Sequence, residues 1–182
     1  MATIDQFKSN LIGGGARANQ YRVLMNVPTG VNAFDNKTQF LVKATSLPGQ
    51  TIAEIAVNFR GRQLFLAGDR TFETWTSTVI NDTDFHVRNR VETWMNRIND
   101  LQSNTGLNNV SQYTADMVVQ QLDRNDTVLK EYKLIGCWPT VLAPIELSYD
   151  TVSEIESFDI TWRYTSFVVS GGTQPTRSFN GA

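Results

Sequence analysis

Apolar side chains recur at every second position along most of this chain, the period of a β-strand with one face buried. The clearest run is 51–59, where Ile55, Val57 and Phe59 alternate with Glu54, Ala56 and Asn58. The same alternation predicts strands over 21–27 and 40–46, then over 62–67 and 71–80, with Trp75 and Val79 on one face. It continues over 115–122, 127–135 and 155–167, where Phe158, Ile160, Trp162 and Tyr164 oppose Asp159, Thr161 and Arg163. Turn chemistry separates the runs. Pro28-Thr29-Gly30, Leu47-Pro48-Gly49, Arg60-Gly61, Gly68-Asp69-Arg70 and Asp123-Arg124-Asn125-Asp126 supply it.

One segment breaks the period. After Asn81-Asp82-Thr83, Val87, Val91, Trp94, Ile98 and Leu101 recur at spacings of four and three, predicting an amphipathic helix over 84–102. Asp82 and Asp84 supply capping oxygens and negative charge at its positive end. About seven or eight strands with one such helix give a mainly β fold, an antiparallel barrel or sandwich flanked by the helix. The 182 residues suit a single domain. Residues 1–19, with Gly13-Gly14-Gly15, read as a flexible N-terminal arm, 20–169 as the β-barrel, and 170–182 as a mobile tail.

Function classes narrow next. Sixteen basic against eighteen acidic residues leave a net charge of −2, without the cationic excess of an autonomous nucleic-acid binder. No apolar run approaches a membrane span, and 1–9 lacks the pattern of a secretory signal. The Asn-x-Ser/Thr triplets at Asn36, Asn81, Asn109 and Asn125 are accordingly read as chance. The three glycines are not followed by the Gly-Lys-Ser/Thr of a phosphate loop. His86 is the only histidine and reads as a solvated first-turn residue, with Asp82 and Asp84 better explained by capping than as metal ligands. Cys137 is the only cysteine and reads as a small buried apolar residue between a strand and a turn. Glu154 and Glu156, placed at spacing two on a strand face, are a weak carboxylate pair. No enzyme and no cofactor is expected. Charged residues make up only 19% of the chain, which suits a surface largely covered by other protein.

Several stretches carry a resemblance. They are Ala16-Arg17-Ala18-Asn19-Gln20-Tyr21-Arg22-Val23, Lys43-Ala44-Thr45-Ser46-Leu47-Pro48, and Ala67-Gly68-Asp69-Arg70-Thr71-Phe72-Glu73-Thr74-Trp75 with Val79-Ile80-Asn81-Asp82. Gly136-Cys137-Trp138-Pro139-Thr140 and Glu154-Ile155-Glu156-Ser157-Phe158 complete them. In order and spacing the chain from Ala16 to Tyr164 resembles the tail tube proteins of T-even-type contractile phages, within the tail tube and type VI secretion tube superfamily. Ala18 departs from the proline expected in the arm motif, and 167–182 reads as an extension beyond the family's usual end.

The resemblance implies a structural virion protein whose hexameric rings stack into the inner tube of a contractile tail, assembled in the host cytoplasm. Its implied partners are further copies of itself, the sheath protein, baseplate tube-initiating proteins, the tape-measure protein and the tail terminator. Viral DNA would pass through without specific binding. Glu54, Ala56 and Asn58 are candidate lumen-facing residues. Arg17, Asn19, Arg60, Gly61, Arg62, Asp69 and Arg70 are candidate inter-subunit residues. Two alternatives stay open at this point: a baseplate initiator or tail terminator ring, and a small β-sandwich binding module or hydrolase using Glu154 and Glu156.

Overall fold

The computed structural model describes residues 3–11, 15–35 and 37–171. In chain order the elements are α1 (Ile4–Asn10), β1 (Tyr21–Leu24), α2 (Thr38–Leu41), β2 (Val42–Thr45), β3 (Gln50–Phe59), β4 (Arg62–Phe72) and β5 (Trp75–Ile80). There follow α3 (His86–Ile98), α4 (Val110–Tyr113), β6 (Ala115–Leu122), β7 (Val128–Leu142), β8 (Ser157–Arg163) and β9 (Ser166–Ser170). Every strand pairing is antiparallel. The fold is mainly β with few helices, as the alternation required.

The body is a curled sheet in the order β1-β6-β7-β8-β5-β2, with β9 added beside β7. The bend lies within β7. Its first half pairs with β9 up to Ile135, its second half pairs with β8 from Trp138, and Gly136 between them takes a positive φ of 68°. Pro139, which cannot donate to a ladder, sits next to a register shift in the β7–β8 pairing. The two ends of the sheet meet through a side chain: the Tyr21 hydroxyl on β1 lies 3.0 Å from the Val42 carbonyl and 2.6 Å from that of Lys43 on β2. Tyr21 thus closes the barrel where no ladder does. Inside lie Val23, Trp75, Val79, Met117, Val119, Leu134, Ile160 and Trp162, and the buried Ser77 hydroxyl accepts the Trp162 indole N–H at 2.9 Å.

Helix α3 lies on this core through Val87, Val91 and Trp94, with Ile98 partly buried. The Trp94 ring centroid is 5.6 Å from that of Trp162, and its indole N–H donates to the Tyr113 carbonyl at 2.7 Å. The helix is shorter than the expected 84–102. Asp82 accepts the His86 backbone N–H at 2.8 Å, and Phe85 at the cap holds a left-handed φ of 50°. At the other end the Asp100 carboxylate accepts the N–H groups of Gln102 and Ser103, turning the chain away after Ile98. Gly106 then lies so close to the helix end that a Cβ there would stand 1.9 Å from the Ile98 carbonyl oxygen. Leu101 therefore leaves the apolar stripe and is 93% exposed, contrary to the expected core role.

Other boundaries move for local reasons. The expected arm carries α1, fixed by a reciprocal capping box between Thr3 and Gln6. Gly13 and Gly14 lie outside the described residues, as does 172–182 of the expected tail. Phe40 belongs to the one-turn helix α2 rather than to a strand. Gly68 and Asp69 form a bulge within a continuous β4, Arg70 is paired again with Ile52, and the break comes later, between Phe72 and Trp75. Gly68 permits that bulge, since a Cβ would stand 3.0 Å from the Ala53 carbonyl oxygen. The expected last strand divides into β8 and β9, because it follows β7 around its corner and the Thr165 N–H bonds the Ile135 carbonyl at 2.9 Å. Glu154 and Glu156 lie in the loop before β8, not on a strand, and Glu156 accepts the Asn81 amide at 2.8 Å. Cys137 sits within β7 rather than beside a turn.

Candidate functional site: the projecting hairpin

Strands β3 and β4 form a two-stranded sheet of their own. Arg60 and Gly61, both at positive φ (46° and 82°), make the two-residue loop between the paired residues Phe59 and Arg62, the geometry of a type I′ turn. The register sorts the side chains, because directly opposed residues share a face. One face carries Ile55 opposite Leu66, Val57 opposite Leu64, and Phe59 opposite Arg62. The other carries Glu54 opposite Ala67, Ala56 opposite Phe65, and Asn58 opposite Gln63.

Every residue of β3 is exposed, and the apolar members of the first face remain between 42% and 68% exposed. A lone hairpin of this composition is marginal in water, and a contiguous apolar patch marks a surface meant to be covered. The alternation read in the sequence is real, but it was a poor guide to burial, since the apolar face meets no core within the subunit. The candidate lumen residues Glu54, Ala56 and Asn58 share the polar face, with Phe65 an apolar exception on it. Of the candidate inter-subunit residues, Arg60, Gly61 and Arg62 form the hairpin tip, while Asp69 lies in the bulge at its base and Arg70 next to it. Arg17 and Asn19 are far from these in sequence. Their turn is tied to β6 by the Gln121 amide, which donates to the Arg17 and Gln20 carbonyls at 2.7 Å each.

The side chains considered for chemistry are engaged structurally. His86 is not solvated. Its side chain is 12% exposed, with Nε2 3.0 Å from the Asp35 carboxylate and Nδ1 2.8 Å from the Arg90 guanidinium. A guanidinium only donates, so Nδ1 accepts. Arg90 also donates to the Ala33 carbonyl at 3.0 Å, clamping that loop onto α3. The Lys37 ammonium beside Asp82 holds that carboxyl below the usual carboxylate range, helped by the His86 backbone N–H. Burial pushes the Cys137 thiol up to about 12, so it is no nucleophile. Burial raises Asp116, but the Gly136 N–H and the Lys133 ammonium outweigh it and leave the carboxyl lowered. Among the described residues no group of three His, Cys, Asp or Glu side chains is placed to hold a metal ion. No helix among them is long and apolar enough to cross a membrane.

The family model for phage tail tube protein matches residues 16–170, so Phe167–Ser170, expected to lie beyond the family's end, fall within the match. The tail tube protein of Serratia phage KSP90 is 33% identical over 168 residues, covering 90% of this chain and 95% of that protein. Tail tube protein gp19 of Enterobacteria phage T4 is 34% identical over 123 residues, 67% of this chain and 76% of that one. Among solved structures, a chain of the 6-fold symmetrised anti-feeding prophage baseplate shares the fold with a TM-score of 0.67 at 14% identity, covering 88% of this chain and 98% of its own. A chain of the PVC sheath–tube complex of an extracellular contractile injection system, in the extended state, does so with a TM-score of 0.61 at 12% identity, covering 94% and 100%. The chain belongs to the phage tail tube protein family, and its role is structural rather than enzymatic.

Proposed function

We propose that this chain, as one tail-tube domain over 1–182, forms hexameric rings that stack into the inner tube of a contractile phage tail. The observation that carries the reading is the projecting β3–β4 ribbon, whose Ile55–Val57–Phe59 face is apolar and uncovered in the single subunit. A neighbouring copy covers that face, and the opposite face, with Glu54, Ala56 and Asn58, looks into the channel. From Glu54 to Asn58 this face carries no Lys or Arg, the nearest cation on it being Arg70 beyond the bulge. Such a stretch suits a DNA conduit, because each cationic contact to phosphate would release counterions and slow passage. The likeness to chains from six-fold baseplate and sheath–tube assemblies supports the same reading. In the virion tail its partners are the sheath, the baseplate proteins that start the tube, the tape-measure protein and the tail terminator. Arg17, Asn19 and the hairpin residues Arg60, Gly61, Arg62, Asp69 and Arg70 contribute to contacts between copies.

Electron microscopy of purified chain tests this. Wild type forms stacked rings with a central channel, and Val57→Glu gives folded subunits without rings. Rings from Val57→Glu, or none from wild type on a baseplate template, would remove the reading. Glu54→Lys addresses the channel itself. Particles carrying it assemble normally and eject DNA slowly at low salt, with a defect that eases as salt screens the contacts. Normal ejection at low salt would put Glu54 outside the channel.

A further inference from the structure

We propose that helix α1 of one copy docks into the groove beside the C-terminal end of α3 on a second copy. The inference rests on the tube reading only in requiring copies to lie side by side. Two unpartnered apolar surfaces motivate it. The first is α1, where Ile4 and Phe7 share a face and, with Leu11 at the C-cap just beyond, remain 70%, 65% and 44% exposed. A helix of this length is not stable by itself in water, yet Thr3 and Gln6 cap its N-terminus reciprocally. Such a helix is organised in advance for a surface that covers its stripe.

The second surface is a groove of about 740 Å³ between the end of α3 and the second half of β7. Its walls are largely apolar, from Met95, Ile98, Leu101, Trp138 and Leu142, and the exposed Leu101 stands at its lip. A seven-residue helix is about 10 Å long, a size such a groove accepts. Charge sets the pairing. Glu92 and Asp100 line the groove; Glu92 is paired with Arg88 one turn earlier at 2.9 Å, so Asp100 leaves the rim one negative charge in excess. On α1 the single cation, Lys8, falls at the edge of the apolar stripe, one position after Phe7, while Asp5 lies farther round the helix. An apolar stripe edged by one ammonium therefore meets an apolar groove edged by one excess negative charge.

Disulfide trapping with the full chain tests the docking. Ile4→Cys and Leu101→Cys both replace exposed side chains, and the native Cys137, at 0% exposure, does not interfere. The two single variants are mixed, assembled and mildly oxidised, then separated on a denaturing non-reducing gel. The expected result is a dimer band from the mixture that neither variant gives alone. A cross-linked monomer from the double variant without a mixed dimer would mean that α1 folds onto its own groove, which overturns the proposal. So would tubes that form normally with no cross-link at all. Microscopy of wild type, scored separately, reports on the tube reading. If wild type forms no tubes, the mixed cross-link at high concentration still decides the docking. As a second measurement, Lys8→Glu should lower the pelletable fraction several-fold, and Glu92→Lys should restore it, with Asp100 left in place because its carboxylate holds the turn after α3. Failure of that charge swap to restore assembly would also count against the proposal.

Discussion

Replacing Trp94 by alanine tests how the helix is held on the barrel. The side chain is fully buried, its ring tilted at 53° against that of Trp162, and it donates to the Tyr113 carbonyl. Truncation removes about 150 Å² of buried apolar surface, which at about 25 cal/mol per Å² gives roughly 4 kcal/mol. That agrees with the roughly 3–5 kcal/mol found for Trp→Ala changes in cores. Trp94→Phe separates the contributions, because it keeps most of the packing and leaves the Tyr113 carbonyl without its donor, at a cost of about 1–3 kcal/mol. The assay is urea and thermal unfolding of unassembled subunit followed by far-ultraviolet circular dichroism. At about 2–4 °C per kcal/mol for a chain of this size, Trp94→Ala should lower Tm by roughly 8–16 °C. A Trp94→Ala subunit within about 1 kcal/mol of wild type would refute the packing argument.

Tyr21→Phe removes only the hydroxyl that bridges the two ends of the sheet, and should cost about 1 kcal/mol by urea titration. No measurable loss would mean that the seam is held by something else. His86→Ala should likewise cost about 1 kcal/mol, since Arg90 loses one acceptor but keeps the His86 and Ala33 carbonyls; a neutral outcome would return His86 to the solvated class. The lowered Asp82 carboxyl gives a pH dependence with a definite sign. Its contribution is complete above the unfolded carboxylate value, near about pH 4, and is lost as pH falls through the lower folded value. Asp82→Asn should therefore flatten the stability curve in that acid window, and an unchanged slope would show that Asp82 is not linked to folding. Finally, Cys137 should resist thiol reagents in native protein at mildly alkaline pH and react only at the rate of unfolding; rapid labelling would contradict its burial.

Strand identity was legible because period-two alternation is local and strong, as in 115–122, where the expected and observed strands coincide. Helix position was legible from Val87, Val91 and Trp94. Its end was not, because the stop comes from Asp100 turning the backbone and Gly106 packing on Ile98, a tertiary contact without a helix-breaking signal at Ile98 itself. Gly68-Asp69-Arg70 reads as turn chemistry, and only ladder register separates a bulge from a turn; the corner at Gly136 falls where the sequence pattern ends a strand, although β7 continues through it. At the candidate site the sequence identified the alternating faces of β3 but could not tell that both would be exposed. Alternation reports two environments, and one of them can belong to a neighbouring molecule. His86 was misjudged because the groups that cover it, Asp35 and the loop carbonyl held by Arg90, lie some fifty residues upstream.

The ribbon of β3 and β4 also bears on the interval between synthesis and assembly. A two-stranded sheet leaves both outer strands with unpaired backbone groups, and here those edges border an apolar face. Any two newly made subunits could pair there out of register and be lost to amorphous aggregate. The charges at its ends counter this: Arg60 and Arg62 at the tip, Asp69 and Arg70 at the base, with Glu54 between. Two ribbons meeting tip to tip bring arginines together, so that chance encounter is repelled. Those charges also mark where the apolar strands can be left open long enough for the chain to wait.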